Sequence, residues 1–249
     1  MKSIDAEIIY ENTIQADFVR RLNRFTAEVF LEGRIETVHV KNTGRLGELL
    51  IPRARVMLQN AAGIGRQVSA GQKAAGTSRK TAYDLISVYR PGLSWVNVDS
   101  LAPNLLVKKY LTGSCMYDSV RPEYAYGDSR IDFYMERGKE RYLTEVKGCT
   151  LLSEDPSVGL FPDAPTERGV KHLRELAKAA GEGFCCSIAF VIQMNGVTHV
   201  MPNDGTQPEF GRALHEAIQA GVRVHSLACA VEADRIRILK DADETERYR

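Results

Sequence analysis

The chain has 249 residues, with 33 Lys+Arg against 32 Asp+Glu, 44% hydrophobic and 26% charged residues. This composition excludes a disordered or collagen-like chain, and the length suffices for one large domain or two small ones that bury a core without metal or disulfide staples. No stretch approaches the roughly 18–20 continuous apolar residues of a membrane helix, and the start, Met1-Lys2-Ser3-Ile4-Asp5, has no apolar signal core, so a cytoplasmic protein with no membrane partner is expected.

The charge is segregated. Residues 1–90 hold 14 Lys+Arg and 9 Asp+Glu, a net of +5, and the remainder carries a net of −4. Between positions 41 and 90, Lys41, Arg45, Arg53, Arg55, Arg66, Lys73, Arg79, Lys80 and Arg90 meet only Glu48 and Asp84, a net of +7. Several of these cations lie in Gly- and Ser-rich sequence, Gly63-Ile64-Gly65-Arg66 and the run from Gly71 to Lys80. A solvated face is the bland reading. Cations on loops also suit a polyanion, because each Lys or Arg that meets a phosphate releases condensed counterions whatever the base sequence.

Taken in chain order, residues 18–31 carry Phe18, Leu22, Phe25, Ala27, Val29 and Leu31, in strand-like alternation towards the end, and close at Glu32-Gly33. They pair as a hairpin with Arg34 to Lys41, where Ile35, Val38 and Val40 alternate. Asn42-Thr43-Gly44 breaks the pattern before a turn of helix, and strand-like runs follow at Arg55 to Gln59 and Lys80 to Tyr89. About five short strands in residues 1–90, basic on one side, predict a small OB-like β-barrel. Phe18 and Phe25 follow the apolar pattern and are assigned to its core. Asn42, Thr43 and Arg45, in a polar Gly-containing loop, suit contact with a nucleic-acid backbone.

In residues 91–249 helical stretches alternate with strands. Ser100 to Leu111, Thr166 to Ala180 and Pro208 to Ala220 have helical periodicity, and Gly113, Gly181 and Gly221 are read as the glycine after each last turn. Strands fall at Tyr117 to Tyr124, Ser129 to Glu136, Arg141 to Cys149, Phe184 to Gln193 and Val222 to Val231. This predicts an α/β (α+β) domain, a mixed sheet flanked by helices. Cys115, Cys149, Cys185, Cys186 and Cys229 form no CxxC pair and are read as small buried hydrophobes.

The chemistry lies in Ser129-Arg130-Ile131-Asp132-Phe133-Tyr134-Met135-Glu136, Arg137-Gly138-Lys139-Glu140 and Arg141-Tyr142-Leu143-Thr144-Glu145-Val146-Lys147. With Gly138-Lys139 as the two central residues of a Gly-X hairpin loop, Glu136 faces Arg141, Met135 faces Tyr142 and Asp132 faces Glu145. Directly opposed carboxylates repel unless a cation lies between them, and a hard divalent ion such as Mg²⁺ supplies one. Lys147, two residues beyond Glu145, shares its face and can hold a water or phosphate oxygen. The group suits phosphodiester hydrolysis, with Asp132 and Glu145 as ligands and Lys147 assisting. An exposed face on which Glu145 pairs with Lys147 or Arg130 is the alternative.

Tyr126-Gly127-Asp128-Ser129-Arg130-Ile131-Asp132-Phe133, Thr144-Glu145-Val146-Lys147-Gly148-Cys149-Thr150-Leu151 and the stretch from Phe161 to Leu173 resemble the sugar fermentation stimulation protein family, SfsA. Arg21-Leu22-Asn23-Arg24-Phe25 and the run from His39 to Arg45 match it as well, so the resemblance covers nearly the whole chain. It implies an OB-like domain over 1–90 joined to a restriction-endonuclease-like PD-(D/E)xK domain over 91–249, non-specific DNA binding, and a regulatory role in maltose and related sugar metabolism.

Asp132, Glu145 and Lys147 match the family's nuclease-like motif, with Mg²⁺, or Mn²⁺, as the implied cofactor. Arg21, Arg24, Lys41, Lys80 and Arg130 join Asn42, Thr43 and Arg45 as candidate DNA contacts. Arg168, Lys171, His172 and Glu175 share one helix face. The resemblance turns Arg168, Lys171 and His172 of that face towards phosphate, with Glu167 in an outer shell and His172 as a hydrogen-bonding partner. Where the family often carries an acid near Lys109 that could complete the metal site, this chain has Lys108-Lys109. That departure keeps a non-catalytic DNA-binding regulator with a vestigial site as the rival to a nuclease. RNA as a partner and a homodimer stay open, and oligosaccharide binding by the barrel lacks a Trp in residues 1–90 to support it.

Overall fold

The computed structural model describes residues 6–61 and 81–248. It forms two compact units, one of Ile9–Ser100 with Glu232–Arg235, the other of Leu101–Val231 with the segment from Ile236 onward and the described residues before Ile9. Strand β1 (Glu7–Ile9) contributes to the second unit.

The first unit holds β2 (Thr13–Asn23), β3 (Thr26–Leu31), β4 (Arg34–Val40), β5 (Arg55–Asn60), β6 (Tyr83–Arg90) and β7 (Ser94–Asn97). Antiparallel pairing runs β4-β3-β2-β5-β6, and β6 closes the ring on β4 in parallel through His39↔Asp84 and Val40↔Leu85. That is the five-stranded, partly open barrel of the OB fold, with β7 added as a hairpin on β6. Ala27, Val29, Val38, Val40, Val56, Leu58, Leu85 and Val88 fill it from alternate positions. The β3–β4 loop is tight because Glu32 and Gly33 both take positive φ, +48° and +85°, as a two-residue loop requires.

Residues 18–31, expected as one strand, are two. The Asn23 side chain accepts from the Phe25 and Thr26 amides at 2.8 and 3.0 Å, which turns the chain at Arg24-Phe25. Phe18 is buried in the barrel, whereas Phe25, also expected in the core, sits on this turn with 48% of its surface exposed.

The second unit contains α1 (Ala102–Gly113), β8 (Ser119–Tyr126), β9 (Ser129–Arg137), β10 (Glu140–Cys149), β11 (Leu151–Leu152), β12 (Val158–Phe161), α2 (Glu167–Gly181), β13 (Cys185–Ile192), β14 (His199–Pro202), α3 (Pro208–Gln219), β15 (Arg223–Glu232) and β16 (Arg235–Asp243). Seven strands form a mixed sheet in the order β1-β16-β15-β13-β10-β9-β8, parallel through β10-β13-β15 and antiparallel through β10-β9-β8. A small sheet, β11-β12-β14, lies beside it. Strand β13, the middle of the seven, is a nearly continuous apolar run, as a parallel strand covered on both faces is, and its Ile188, Phe190 and Ile192 are buried, as are Leu173, Leu176, Phe210 and Leu214 of the helices.

Three details differ from expectation. Gly113 and Gly181 are the last helical residues, and the left-handed conformation comes later, at Cys115 and Gly183; only Gly221 stands where it was placed. Cys115 and Cys185 are exposed, while Cys149, Cys186 and Cys229 are buried, with burial pushing each of their thiols up to about 12. Strands β1, β7, β11, β12, β14 and β16 were not anticipated, most being short or at sheet edges.

Candidate metal centre and nucleic-acid contacts

Gly138, at φ +59°, and Lys139 form the β9–β10 loop. The pairs are Arg137↔Glu140, Glu136↔Arg141, Met135↔Tyr142, Tyr134↔Leu143 and Phe133↔Thr144, and the ladder ends there, one residue short of Asp132 and Glu145, whose charges act on each other. There the side chain of Asp132 replaces the ladder, its Oδ2 accepting the Val146 backbone N–H at 2.8 Å. Its Oδ1 accepts from Asn104 Nδ2 of α1, also at 2.8 Å.

Glu145 is 1% exposed. Its Oε1 receives Lys147 Nζ at 2.5 Å and is bonded also to His172 Nδ1 of α2. Arg168, one turn earlier on α2, donates from Nε to His172 Nε2 at 3.3 Å. Glu145 Oε2 is buried and has no hydrogen-bond partner among the described residues.

Burial raises both carboxyls, but they part company. Asp132 stays above the usual carboxylate range because the charge of Glu145 adds to its desolvation, against weaker help from the Val146 amide, Lys147 and Asn104. For Glu145 desolvation is outweighed by the hydrogen bond from His172 and by the Lys147 ammonium, which hold it below that range. Glu145 is therefore a firmly ionised carboxylate, and Asp132 is the acid that ionises at a cost.

These residues fit a hard divalent cation. A buried carboxylate oxygen with no donor is a costly exception in proteins, and an ion would satisfy it while screening Glu145 from Asp132. Among the described residues no group of three or more His, Cys, Asp and Glu side chains forms a ligand cage, so the site offers two carboxylates and leaves further coordination to water. That is the habit of Mg²⁺ more than of an ion needing an all-protein cage.

The α1 side chain that reaches the acids is Asn104. Lys108 is exposed, and Lys109 gives its ammonium to the Glu7 carbonyl at 2.6 Å. Asn104 was missed, since nothing local distinguishes it from any polar residue in a helix's first turn. Of the α2 face, His172 is buried against Glu145, Arg168 and Glu167 are exposed, and Lys171 donates to the Asp128 carbonyl at 3.0 Å beside the β8–β9 turn. Arg130 is exposed on β9, opposite Ala125.

In the barrel unit several expected DNA contacts turn out to have internal partners. Arg21 spreads its guanidinium over the carbonyls of Asn23, Arg24, Asn42, Gly44 and Arg45, tying the β2–β3 turn to the loop after β4. Lys41 is ion-paired with Asp99 at 2.8 Å and Asp84 at 3.6 Å, both carboxylates buried. Asn42 accepts from the Gly44 amide at 2.8 Å to shape the loop. Arg24, Thr43 and Arg45 are exposed, with the Arg24 guanidinium 5.2 Å from the Phe25 ring centre, and Arg53 is exposed nearby in sequence. Lys80 and the Gly- and Ser-rich cationic run lie outside the described residues.

An OB barrel joined to a helix-flanked mixed sheet, with two acids and a lysine gathered on one hairpin of that sheet, defines a two-unit α/β protein. The chain belongs to the sugar fermentation stimulation protein (SfsA) family. The family's SfsA N-terminal OB domain matches residues 19–98, and its sugar fermentation stimulation protein RE domain matches residues 99–235. A sugar fermentation stimulation protein homolog of Desulfitobacterium hafniense is 42% identical over 229 residues, covering 91% of this chain and 93% of that one. One from Ruminiclostridium cellulolyticum is 40% identical over 237 residues, covering 94% and 98%. Among solved structures, that of Pyrococcus furiosus SfsA in complex with Ca²⁺ matches with a TM-score of 0.77 at 26% identity, covering 98% of this chain and 99% of that one. No helix of the described residues is long and apolar enough to cross a membrane.

Proposed function

We propose that this protein binds DNA largely without regard to sequence and cleaves phosphodiesters at Asp132, Glu145 and Lys147 with Mg²⁺, or Mn²⁺, as cofactor. The observation that carries the reading is the buried Oε2 of Glu145, without a hydrogen-bond partner among the described residues, close to a second, reluctantly ionised acid. The Ca²⁺ in the complex of the Pyrococcus furiosus relative supports it, Ca²⁺ being another hard, oxygen-seeking ion. A divalent ion at this site supplies two things, a water of lowered pKa and neutralisation of charge developing on phosphate.

The protein's own groups do the rest. Ionised Glu145 and Asp132 present oxygens from adjacent strands, and Asn104 and the Val146 amide fix the Asp132 carboxylate. Lys147, held beside Glu145, is placed to turn its ammonium to a scissile phosphate or its leaving oxygen. Arg24, Arg45 and Arg53 of the barrel unit offer exposed guanidinium groups to the backbone, which gives affinity without sequence readout.

Incubating the purified protein with plasmid, single-stranded DNA and RNA in Mg²⁺ or Mn²⁺ tests this. Cleavage that disappears in Glu145→Ala supports the nuclease. Binding without cleavage of any substrate supports the second reading, a DNA-binding regulator with a vestigial site, which the neutral Asn104 at the acids favours.

A further inference from the structure

Resting on the reading of Asp132 and Glu145 as a metal site, we propose that Arg168 and His172 are positioning residues that lock the Glu145 carboxylate so that Oε2 alone faces the ion. Two donors converge on Oε1, His172 Nδ1 and Lys147 Nζ, and among the described residues none reaches Oε2. A carboxylate gripped through one oxygen by two donors is held at a fixed angle about its terminal bond, because any intermediate angle breaks both hydrogen bonds and a half-turn only exchanges two equivalent oxygens. The two oxygens thereby divide their tasks.

The tautomer of His172 follows from its neighbours. A guanidinium Nε always carries a proton, so His172 Nε2 can only accept from Arg168, and the ring proton must then sit on Nδ1, where the carboxylate needs it. His172 is 3% exposed, so water does not compete for either nitrogen. The start of α2 is pinned to make this work. Thr166 caps it through the Gly169 amide at 3.0 Å, and the Thr166 amide is itself held by Gln207 Oε1 at 2.8 Å. Any side chain at position 169 would strike Thr166, whose Cγ2 lies 2.8 Å from where a Cβ would stand. Arg168 and His172, four residues apart, then project on one face towards β10. This assigns both residues to metal affinity, where a phosphate contact was expected.

Calorimetric titration of the full-length protein with Ca²⁺ alone and with Mg²⁺ alone tests the proposal, apart from any activity. His172→Phe, which removes the donor, is expected to weaken binding by about 10- to 100-fold, the usual cost of losing a second-layer partner. His172→Asn sets an amide N–H where Nδ1–H stood and is expected to restore most of the affinity, a rescue that a merely space-filling role would not show. Arg168→Met, at an exposed position, is expected to fall between the two.

Long-range ¹H–¹⁵N correlation spectra of the wild type should show His172 as the neutral Nδ1–H form, and this measurement decides the matter together with Arg168→Met if His172→Phe does not fold. Wild-type affinity in His172→Phe alongside lost binding in Glu145→Gln, or an Nε2–H tautomer at His172, overturns the positioning role and leaves the metal site standing. A folded wild type that binds neither ion overturns both.

Discussion

Val146 gives its backbone N–H to the carboxylate of Asp132, 2.8 Å away, where the β9–β10 ladder would otherwise carry on. A side chain has taken over a strand's hydrogen bond, and by doing so it is kept beside Glu145 despite the repulsion between them.

That arrangement should cost the metal-free protein stability. The folded pKa of Asp132 lies above its unfolded value, so ionisation near neutral pH disfavours the fold, and the cost fades as pH falls through the raised folded pKa and the group protonates. Asp132→Asn keeps an acceptor for Val146 and removes the charge. Scanning calorimetry without divalent ions should show it more stable by about 1 kcal/mol near neutral pH, with the advantage shrinking on acidification. A less stable variant at pH 7 would contradict the assignment of Asp132 as the strained acid.

Lys41 should prove structural. Its ammonium lies between buried Asp84 and Asp99, and removing one member of a buried charge cluster costs about 3–5 kcal/mol because the remaining charges stay desolvated. Lys41→Met is expected to lower the unfolding midpoint of the barrel unit in urea by a matching amount. An unchanged midpoint with weakened DNA binding would restore Lys41 as a phosphate contact.

Next to the site, Gly148 is hemmed in. A Cβ there would stand 2.4 Å from Gln193 Oε1 and 2.9 Å from Pro103 Cγ, so Gly148→Ala must displace the strand that carries Lys147 or the start of α1. A loss of about 1–3 kcal/mol is expected from such overpacking, measured by denaturant titration, together with weaker divalent binding. Full retention of both would show that Gln193 and Pro103 yield freely.

DNA affinity should fall linearly in a plot of log K against log salt, and Arg45→Ala or Arg53→Ala should each reduce the slope by about 1. Arg21→Ala is expected to act differently. Its guanidinium holds five carbonyls, so the variant should loosen the loop and lower thermal stability. A salt-independent affinity would remove the phosphate argument altogether.

The hairpin was legible in the sequence because its register depends only on a local signal, Gly138-Lys139, and on alternation along two strands; Tyr142 indeed faces Met135. The barrel could be read for the same reason, from Glu32-Gly33 and the alternating valines of β3 and β4. What escaped was set by long-range partners. Lys41 looks like any loop cation until Asp99, 58 residues away, is placed against it. Phe25 looks like a core residue until Asn23 turns the chain, and Asn104 acquires meaning only when α1 is laid beside β9. Residue type reported the charge of each group but not whether that charge was already matched.

A crystal of the full-length protein soaked in Mn²⁺, with anomalous difference density measured at the manganese edge, tests the metal site most directly. One peak shared by the Asp132 carboxylate and Glu145 Oε2 is the expected result. An empty site with Mn²⁺ bound elsewhere, or density on the Glu145 oxygen that accepts from His172 and Lys147, would contradict it.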